Sequence, residues 1–303
     1  MSLAEDAERY IAFKQALGLK FESQGRVLRR FADFSQERGE RFIRRMTVLD
    51  WTGTAPSVTG KRQRLRCIHG FAVWINGEDS RHEIPDPTAF GRGYRRSAPH
   101  LPTIRDIRDI MAAALELGPP GSINPHSIHT MIGLMATTGL RRSEAINLQL
   151  TDYSADGLVV RNSKFGKSRL IPLHASTRAA LDAFLEIRKA KGGANDHLFV
   201  NSAGHPFHPN HVTAVFIRLA RQTGLRGDAG TAGLRLHDLR HAFAVRSFES
   251  MPATADAGRH ALALSTYMGH ASIECTYWYL EATPKLMRQI SSATETHMER
   301  MLS

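Results

Sequence analysis

The sequence predicts a mainly α-helical protein of two domains, with a small β-hairpin in the second domain. Apolar residues recur at helical spacing along most of the chain, and prolines and glycines interrupt that pattern between residues 85 and 102. Residues 158–173 instead have the pattern of two paired strands. The length of 303 residues is also that of two domains. We therefore place a helical domain at residues 1–95 and a mixed α/β domain at residues 96–303.

Three helices are predicted in the first domain, at residues 3–17, 23–38 and 57–76. The third changes along its length, from a basic first half to an apolar second half. A basic end joined to a buried end is typical of a helix whose start contacts phosphates, although a solvated charged turn has the same composition. The candidate phosphate-contacting residues are Lys61, Arg62, Arg64 and Arg66.

Residues 78–102 are predicted to form a linker, because prolines and glycines break any helix there and apolar periodicity is weak. Three arginines, Arg92, Arg95 and Arg96, make this segment basic. Such a segment could follow a nucleic-acid backbone or serve as a soluble spacer, and the sequence leaves both open.

The second domain is predicted to begin near Thr103, which with Asp106 forms a helix start of the capping-box type. Asn124 and Pro125 are typical of another helix start, and that helix ends near Gly139. A short helix and the hairpin follow. The hairpin strands are predicted at residues 158–160 and 170–173, and further helices at residues 176–190, 209–222 and 284–301.

Composition restricts the class of protein. The net charge is +11 and the pI is about 10.1, which suits a polyanionic partner, although a basic solvated surface gives the same count. Cys67 and Cys275 give no disulfide framework and fit a reduced cytosolic setting. The sequence has no signal-peptide core, and no apolar run approaches the roughly 20 residues of a membrane span. We therefore expect a cytoplasmic protein without a membrane anchor.

Residues 237–279 carry the side chains most suited to chemistry. His237 and Arg240 lie close together, and His270 and Tyr279 follow. Guanidinium groups match the geometry of a phosphate, and an imidazole can donate to a phosphate oxygen or move a proton. A phenol can attack phosphorus and form a covalent intermediate. This set, without a carboxylate cluster, predicts a phosphodiester substrate and neither metal nor cofactor.

A metal site is the alternative interpretation of the same stretch, since His237 and His241 lie four apart on one helix face. Metalloproteases with that spacing have Glu after the first His, whereas this chain has Asp238. Arg240 would also place a positive charge beside any bound cation. A plain surface helix is the other alternative.

Five segments together resemble the tyrosine recombinases, the phage-integrase family. They occur in the family's order and at compatible distances. They are Thr138–Glu144, similar to the first arginine box; Ser163–Leu173, similar to the hairpin lysine segment; His237–His241, similar to the second box; Met268–His270, similar to Leu-Gly-His; and Tyr279, nine residues after His270, at the nucleophile position. The resemblance covers about residues 103–283. Residues 1–95 resemble the family's helical DNA core-binding domain only in length, helicity and charge.

This resemblance implies a site-specific recombinase or integrase that cuts and rejoins DNA through a 3′-phosphotyrosyl intermediate. Tyr279 would be the nucleophile. Arg141 and Arg240 would clamp the non-bridging oxygens of the scissile phosphate. Lys164 would protonate the departing 5′-oxygen, and Lys167 on the same hairpin is the competing candidate.

Neighbouring residues need separate interpretation. His237 and His270 would hydrogen-bond the phosphate or help manage the tyrosine proton. His241 is predicted to be a supporting residue rather than a catalytic one. On a helix Tyr277 and Tyr279 point about 200° apart, so both cannot serve. The nine-residue spacing from His270 favours Tyr279.

The first arginine box contains two further residues of interest, Arg142 and Glu144. Arg142 is predicted to be a solvated helix residue, because the family's arginine directly follows Gly-Leu. Glu144 either orients Arg141 or only caps the helix.

The implied partners are double-stranded DNA and further copies of the chain, four protomers working on two duplexes, with accessory recombinases or DNA-bending proteins also allowed. The run at residues 277–281 is more similar to recombinases of bacterial mobile elements than to chromosome-dimer resolvases, which favours a role in integration or transposition. The alternatives are a type IB topoisomerase, which shares much of the residue set, and a non-catalytic DNA-binding protein.

Overall fold

The structure is a computed structural model, and it describes most of the chain in two compact units, Met1–Ser97 (unit 1) and Ala98–Ser303 (unit 2). The described residues are 2–91, 99–161, 168–191, 193–228, 230–231, 233–252, 256–270 and 272–281. Several predictions therefore lie outside them: Arg92, Arg95, Arg96, Lys164, Lys167, the helix at residues 284–301 and the side chain of Tyr277.

The described part of unit 1 contains four helices packed around one apolar core. The three predicted helices are confirmed, and the nine-residue α3 is an addition. Two buried positions of α3 are threonines, Thr47 and Thr52, whose hydroxyls donate to the Glu40 carboxylate and the Val48 carbonyl. Its inward face therefore lacks the apolar period that would have predicted it. The helices are α1 (Leu3–Ala16), α2 (Glu22–Glu37), α3 (Arg45–Gly53) and α4 (Val58–Asn76).

The predicted linker is wrong in its first part, because residues 78–91 pack onto unit 1. His82 is buried, and its Nδ1 accepts from the backbone N–H of Ile43 at 3.2 Å. The Nε of Arg62 donates to the Phe90 carbonyl at 2.8 Å. The prolines do prevent a helix here. The polar backbone groups find side-chain partners instead, which apolar periodicity does not register.

Unit 2 is mainly helical with a small sheet, so the predicted fold class is confirmed. Helix α6 packs against α5, α8 and α10. The predicted start of α5 is also confirmed, since the Thr103 hydroxyl accepts from Asp106 N–H at 3.1 Å and the Asp106 carboxylate accepts from Thr103 N–H at 2.7 Å. The helices are α5 (Ile104–Leu115), α6 (Asn124–Thr138), α7 (Arg142–Asn147), α8 (Ala175–Lys191), α9 (Pro209–Gln222), α10 (Asp238–Glu249), α11 (Ala257–Met268) and α12 (Glu274–Glu281).

The predicted hairpin is confirmed and has a third strand at its edge. Strands β1 (Tyr153–Ser154), β2 (Gly157–Val160) and β3 (Arg169–Ile171) form an antiparallel sheet in chain order. Val160 pairs with Arg169, and Leu158 with Ile171. Residues two apart on a strand share a face, so Arg169 lies on the same side as the buried Ile171.

A small apolar cluster holds α10, α11 and α12 together. It is separate from the main core of unit 2 and positions the described part of residues 237–279. Its buried members are Ala244, Val245, Phe248, Ala261, Leu264, Met268 and Tyr279.

Candidate active site

Two helix C-termini provide the frame of the site. Helices α6 and α11 end at Gly139 and Gly269, each with φ of 65°. A side chain at either position would collide, since a Cβ would lie 2.6 Å from the Phe243 ring at Gly139 and 2.9 Å from the Arg169 guanidinium at Gly269. The last carbonyls of a helix have no partner within it and carry partial negative charge. These turns therefore offer hydrogen-bond acceptors to cations.

Arg240 uses acceptors from both turns. One terminal nitrogen donates to the Gly139 carbonyl at 2.6 Å and the other to the Met268 carbonyl at 2.7 Å. The residue is only 1% exposed. Burial, and then the nearby charge of Arg141, lower the pKa of Arg240 to about 10, so it stays charged at neutral pH.

Arg141 lies at the start of α7 beside the second turn. Its guanidinium donates to Glu144 at 2.7 Å and to the Gly269 carbonyl at 2.7 Å. Its backbone N–H donates to the other Glu144 oxygen at 2.9 Å. The Arg141 side chain is 23% exposed, so Arg141 is more accessible than Arg240. Glu144 both orients Arg141 and caps the helix.

Arg169, which was not among the predicted site residues, joins this group. Its two terminal nitrogens donate to the two oxygens of Glu144 at 3.1 and 2.9 Å. Burial alone would raise the pKa of Glu144, but the hydrogen bonds from Arg169 and then the Arg141 backbone lower it to about 2. The arginine's place on the apolar face of β3, two residues before Ile171, is the sequence signal that could have found it.

The two predicted histidines lie close to the arginines. Burial, and then the charge of Arg240, lower the pKa of both His237 and His270 to about 4, although part of His237 remains exposed. Both imidazoles are therefore neutral at pH 7. Nδ1 of His270 lies 2.7 Å from the Thr276 hydroxyl, which fixes the orientation of the ring.

Tyr279 is buried against these rings, with 3% of its surface exposed. Its hydroxyl lies 3.2 Å from Nδ1 of His241, and the tautomer of the imidazole decides which partner donates. The Tyr279 ring is nearly parallel to that of His270, with centroids 6.0 Å apart. His241, predicted to be a supporting residue rather than a catalytic one, thus contacts the predicted nucleophile directly.

Arg142 is not the solvated residue that was predicted. It is half-buried, and its guanidinium donates to the Thr213 hydroxyl on α9. The prediction failed because the short α7 lies against α9, which its own sequence does not reveal. Arg142 therefore connects two helices, while Arg141 faces the site.

The four candidate phosphate contacts on α4 divide into two kinds. Arg62 and Arg64 donate to backbone carbonyls of unit 1, those of Phe90 and Trp51. Arg66 is exposed, and the ammonium of Lys61 lies 5.8 Å from the Phe90 ring centre. Two of the four side chains therefore stabilise unit 1 internally.

Neither metal-binding nor membrane-spanning features occur in the part of the chain that the structure describes. No three His, Cys, Asp or Glu side chains there are grouped to hold a metal ion. None of the helices described is long and apolar enough to cross a membrane.

Comparison with known proteins places these features in a family. A sequence model described as the phage integrase family matches residues 103–285. The putative integrase/recombinase y4rB of Sinorhizobium fredii is 34% identical over 306 residues, covering 96% of each chain. The tyrosine recombinase XerD of Brucella melitensis is 25% identical over 259 residues, covering 82% of this chain and 80% of that protein.

A solved structure has the same fold. It is that of a lambda integrase dimer bound to a COC′ core site. The TM-score is 0.64 at 17% sequence identity, and the match covers 92% of this chain and 95% of that one.

Proposed function

Because the chain belongs to the phage integrase family, the tyrosine recombinases, we propose that Tyr279 is the nucleophile with which it cuts and rejoins DNA. The protein is a site-specific DNA recombinase, and its relatives support this function rather than that of a type IB topoisomerase. The observation that carries the residue assignment is the position of the Tyr279 hydroxyl, 3.2 Å from His241 in the group that includes Arg240.

In the cleavage step, the Tyr279 oxygen attacks the scissile phosphorus and the 5′-oxygen departs. This leaves a 3′-phosphotyrosyl bond and a free 5′-hydroxyl on the DNA. Because the new ester keeps the bond energy, the reaction uses neither ATP nor a metal ion. A 5′-hydroxyl from a partner duplex then attacks the phosphotyrosyl bond and releases the enzyme.

Arg141 and Arg240 form the arginine clamp on the non-bridging oxygens. A guanidinium has five donors, so two bonds to carbonyl or carboxylate oxygens hold its plane and leave donors for a phosphate. Charges that are already oriented need no reorganisation when the transition state forms. Since Arg240 and Tyr279 are almost inaccessible, the phosphate reaches them only after this part of unit 2 opens on DNA.

The Nδ1 of His241 can accept the proton of Tyr279 in the tautomer that carries its hydrogen on Nε2. His237 and His270 are neutral at pH 7 and can each donate one N–H to a phosphate oxygen. The proton for the departing 5′-oxygen would come from Lys164, a role that the resemblance to the family supports.

Other tyrosines are weaker candidates for the nucleophile. Burial raises the pKa of Tyr267 to about 12, and its ring stacks on Phe243 with centroids 5.5 Å apart. Tyr277 is two residues from Tyr279, and the nine-residue spacing from His270 favours Tyr279.

The partner we propose is double-stranded DNA bound by four protomers that act on two duplexes, with accessory recombinases or DNA-bending proteins as further partners. The phosphate backbone of the DNA would be contacted by Lys61 and Arg66 on α4 and by Arg92, Arg95 and Arg96. We place the protein in the cytoplasm, acting on a mobile element. Its similarity to a putative integrase/recombinase supports that role.

A nicked suicide duplex tests the assignment, using a site selected by binding from the DNA that flanks the gene. Tyr279→Phe should bind this DNA and form no covalent adduct. The matched control is Tyr267→Phe, which removes the hydroxyl of a half-buried tyrosine of unit 2 and should leave adduct formation close to that of the unmodified protein. Adduct formation by Tyr279→Phe would contradict the proposal.

A further inference from the structure

Arg169 connects three segments of unit 2 through one side chain. Its terminal nitrogens donate hydrogen bonds to both carboxylate oxygens of Glu144 on α7. Its Nε donates to the Tyr267 carbonyl near the end of α11 at 2.7 Å. The residue itself opens strand β3. The sheet, the first arginine box and the end of α11 therefore meet at this guanidinium.

The same side chain bonds directly to one acceptor of the Arg141 guanidinium and to the turn that carries the other. One acceptor is Glu144, whose two oxygens Arg169 holds. The other is the Gly269 carbonyl, two residues beyond the Tyr267 carbonyl that accepts from Arg169. The fit at this turn is close, since a Cβ on Gly269 would lie 2.9 Å from the Arg169 guanidinium.

Arg169 is itself poorly placed to take a phosphate. All three of its guanidinium nitrogens already donate within the protein, to both Glu144 oxygens and the Tyr267 carbonyl. A buried ion pair of this kind loses hydration and contributes little net stability. Its contribution is therefore to geometry.

We propose that Arg169 is a positioning residue that orients the Arg141 guanidinium for the scissile phosphate, acting through Glu144 and through the turn at Gly269. This inference rests on the proposed function of Arg141. Without Arg169, Glu144 keeps one cationic partner, can rotate, and carries Arg141 with it. A misplacement of about 1 Å at a reacting centre costs roughly 10²-fold in rate.

The first test compares single-turnover cleavage rates of Arg169→Gln, Arg169→Lys and a matched control. The control is Arg161→Gln, which breaks the 2.5 Å ion pair with Asp152 on the same hairpin. Arg169→Gln should cleave about 10²-fold more slowly at unchanged DNA affinity. Arg169→Lys should also be slow, because one ammonium cannot replace the planar fork that holds both Glu144 oxygens. Arg161→Gln should match the unmodified protein.

A double variant separates orientation of Arg141 from an independent effect. If Arg169 acts through Arg141, then Arg141→Lys combined with Arg169→Gln should be no slower than Arg141→Lys alone. Multiplying defects would overturn the proposal. If Arg169→Gln does not fold, the same cycle is measured with Arg169→Lys, which keeps the charge beside Glu144.

Two altered substrates complete the test. A methylphosphonate linkage lacks one non-bridging charge, so the defects of Arg141→Lys and Arg169→Gln should both shrink on it. A sulfur leaving atom departs without a proton and should rescue neither variant. Rescue of Arg169→Gln by sulfur would overturn the proposal, because it would place Arg169 with leaving-group protonation. Failure of the unmodified protein to form any adduct would instead contradict the proposed function.

Discussion

Arginines bonded to the C-terminal ends of helices occur in both units, but their surroundings differ. In unit 1, Arg64 donates to the Trp51 carbonyl in α3 and lies over the Trp51 ring, 4.6 Å from its centre. In unit 2, Arg141, Arg169 and Arg240 gather around two such ends with one buried carboxylate, Glu144. The hydrogen bonds are alike, but unit 1 has a single cation at this helix end, whereas unit 2 gathers three cations in one place.

This difference shows how a structural interaction becomes a binding site. A single arginine at a helix end satisfies carbonyls and stabilises a fold. Three arginines around one carboxylate repel one another, and the charge of Arg141 helps to lower the pKa of Arg240. An entering phosphate relieves that repulsion. The excess of buried positive charge is therefore a better indicator of the proposed anion site than the number of arginines is.

The largest expected effect comes from removing the clamp. Arg240→Lys should reduce the cleavage rate at saturating DNA by about 10²–10³-fold, the usual loss for one oriented donor at a developing charge. Arg64→Met should lower the melting temperature of unit 1 and leave that rate unchanged. An equally deep loss of cleavage with Arg64→Met would remove the distinction between the two units.

The next effect concerns the tyrosine proton. His241→Gln keeps a hydrogen-bonding side chain near Tyr279 but cannot accept a proton, so single-turnover cleavage should slow by about 10²-fold. The control is His260→Gln, which breaks a 2.9 Å contact with Ser247 in the same part of unit 2 and should cleave normally. Equal rates for the two variants would leave His241 with no part in the reaction.

A smaller effect follows from the imidazole in the cationic group. His270 has an ordinary pKa of 6.5 when unfolded and about 4 when folded. Its contribution to stability is therefore complete above pH 6.5 and is lost as the pH falls towards 4, where the unfolded chain binds the proton more tightly. Denaturant unfolding at pH 7 and pH 5 should show this loss, and His270→Gln should make it smaller. A pH dependence that His270→Gln leaves unchanged would assign the loss to other groups.

The smallest effect should be on DNA affinity through unit 1. If Lys61 and Arg66 each neutralise one phosphate, each alanine substitution should reduce the salt slope of binding by about 0.9. Arg62→Ala, which breaks the 2.8 Å bond to the Phe90 carbonyl, should lower stability and leave the slope nearly unchanged. The reverse pattern would mean that the internally bonded arginine also contacts DNA.

Local sequence patterns could predict much of this fold and the order of the site residues. The capping residues of α5, the glycine that ends α6 and the two strands of the hairpin all act through near neighbours. Short motifs also located Arg141, His237, Arg240, His270 and Tyr279 as candidates, and their roles remain proposals. These features have local causes, so short stretches of sequence are enough to predict them.

The features that were missed depend on contacts between distant residues. The Glu144–Arg169 pair joins positions 25 apart, and the His241–Tyr279 contact joins positions 38 apart. Residues 78–91 pack on unit 1 through bonds such as the one from the Ile43 backbone to His82. Spacing along a strand can place Arg169 on the inward face of β3, but it does not identify the distant partner of such a residue.

Identifying the covalently modified tyrosine tests the central claim most directly. The protein is trapped on a nicked suicide duplex and digested with nuclease and trypsin, and the nucleotide-bearing peptide is fragmented by mass spectrometry. The expected peptide, between Arg259 and Lys285, contains Tyr267, Tyr277 and Tyr279, so fragment masses distinguish them. We expect one adduct, a 3′-phosphate on Tyr279. A nucleotide on Tyr267 or Tyr277, or a 5′-phosphate linkage, would contradict the account.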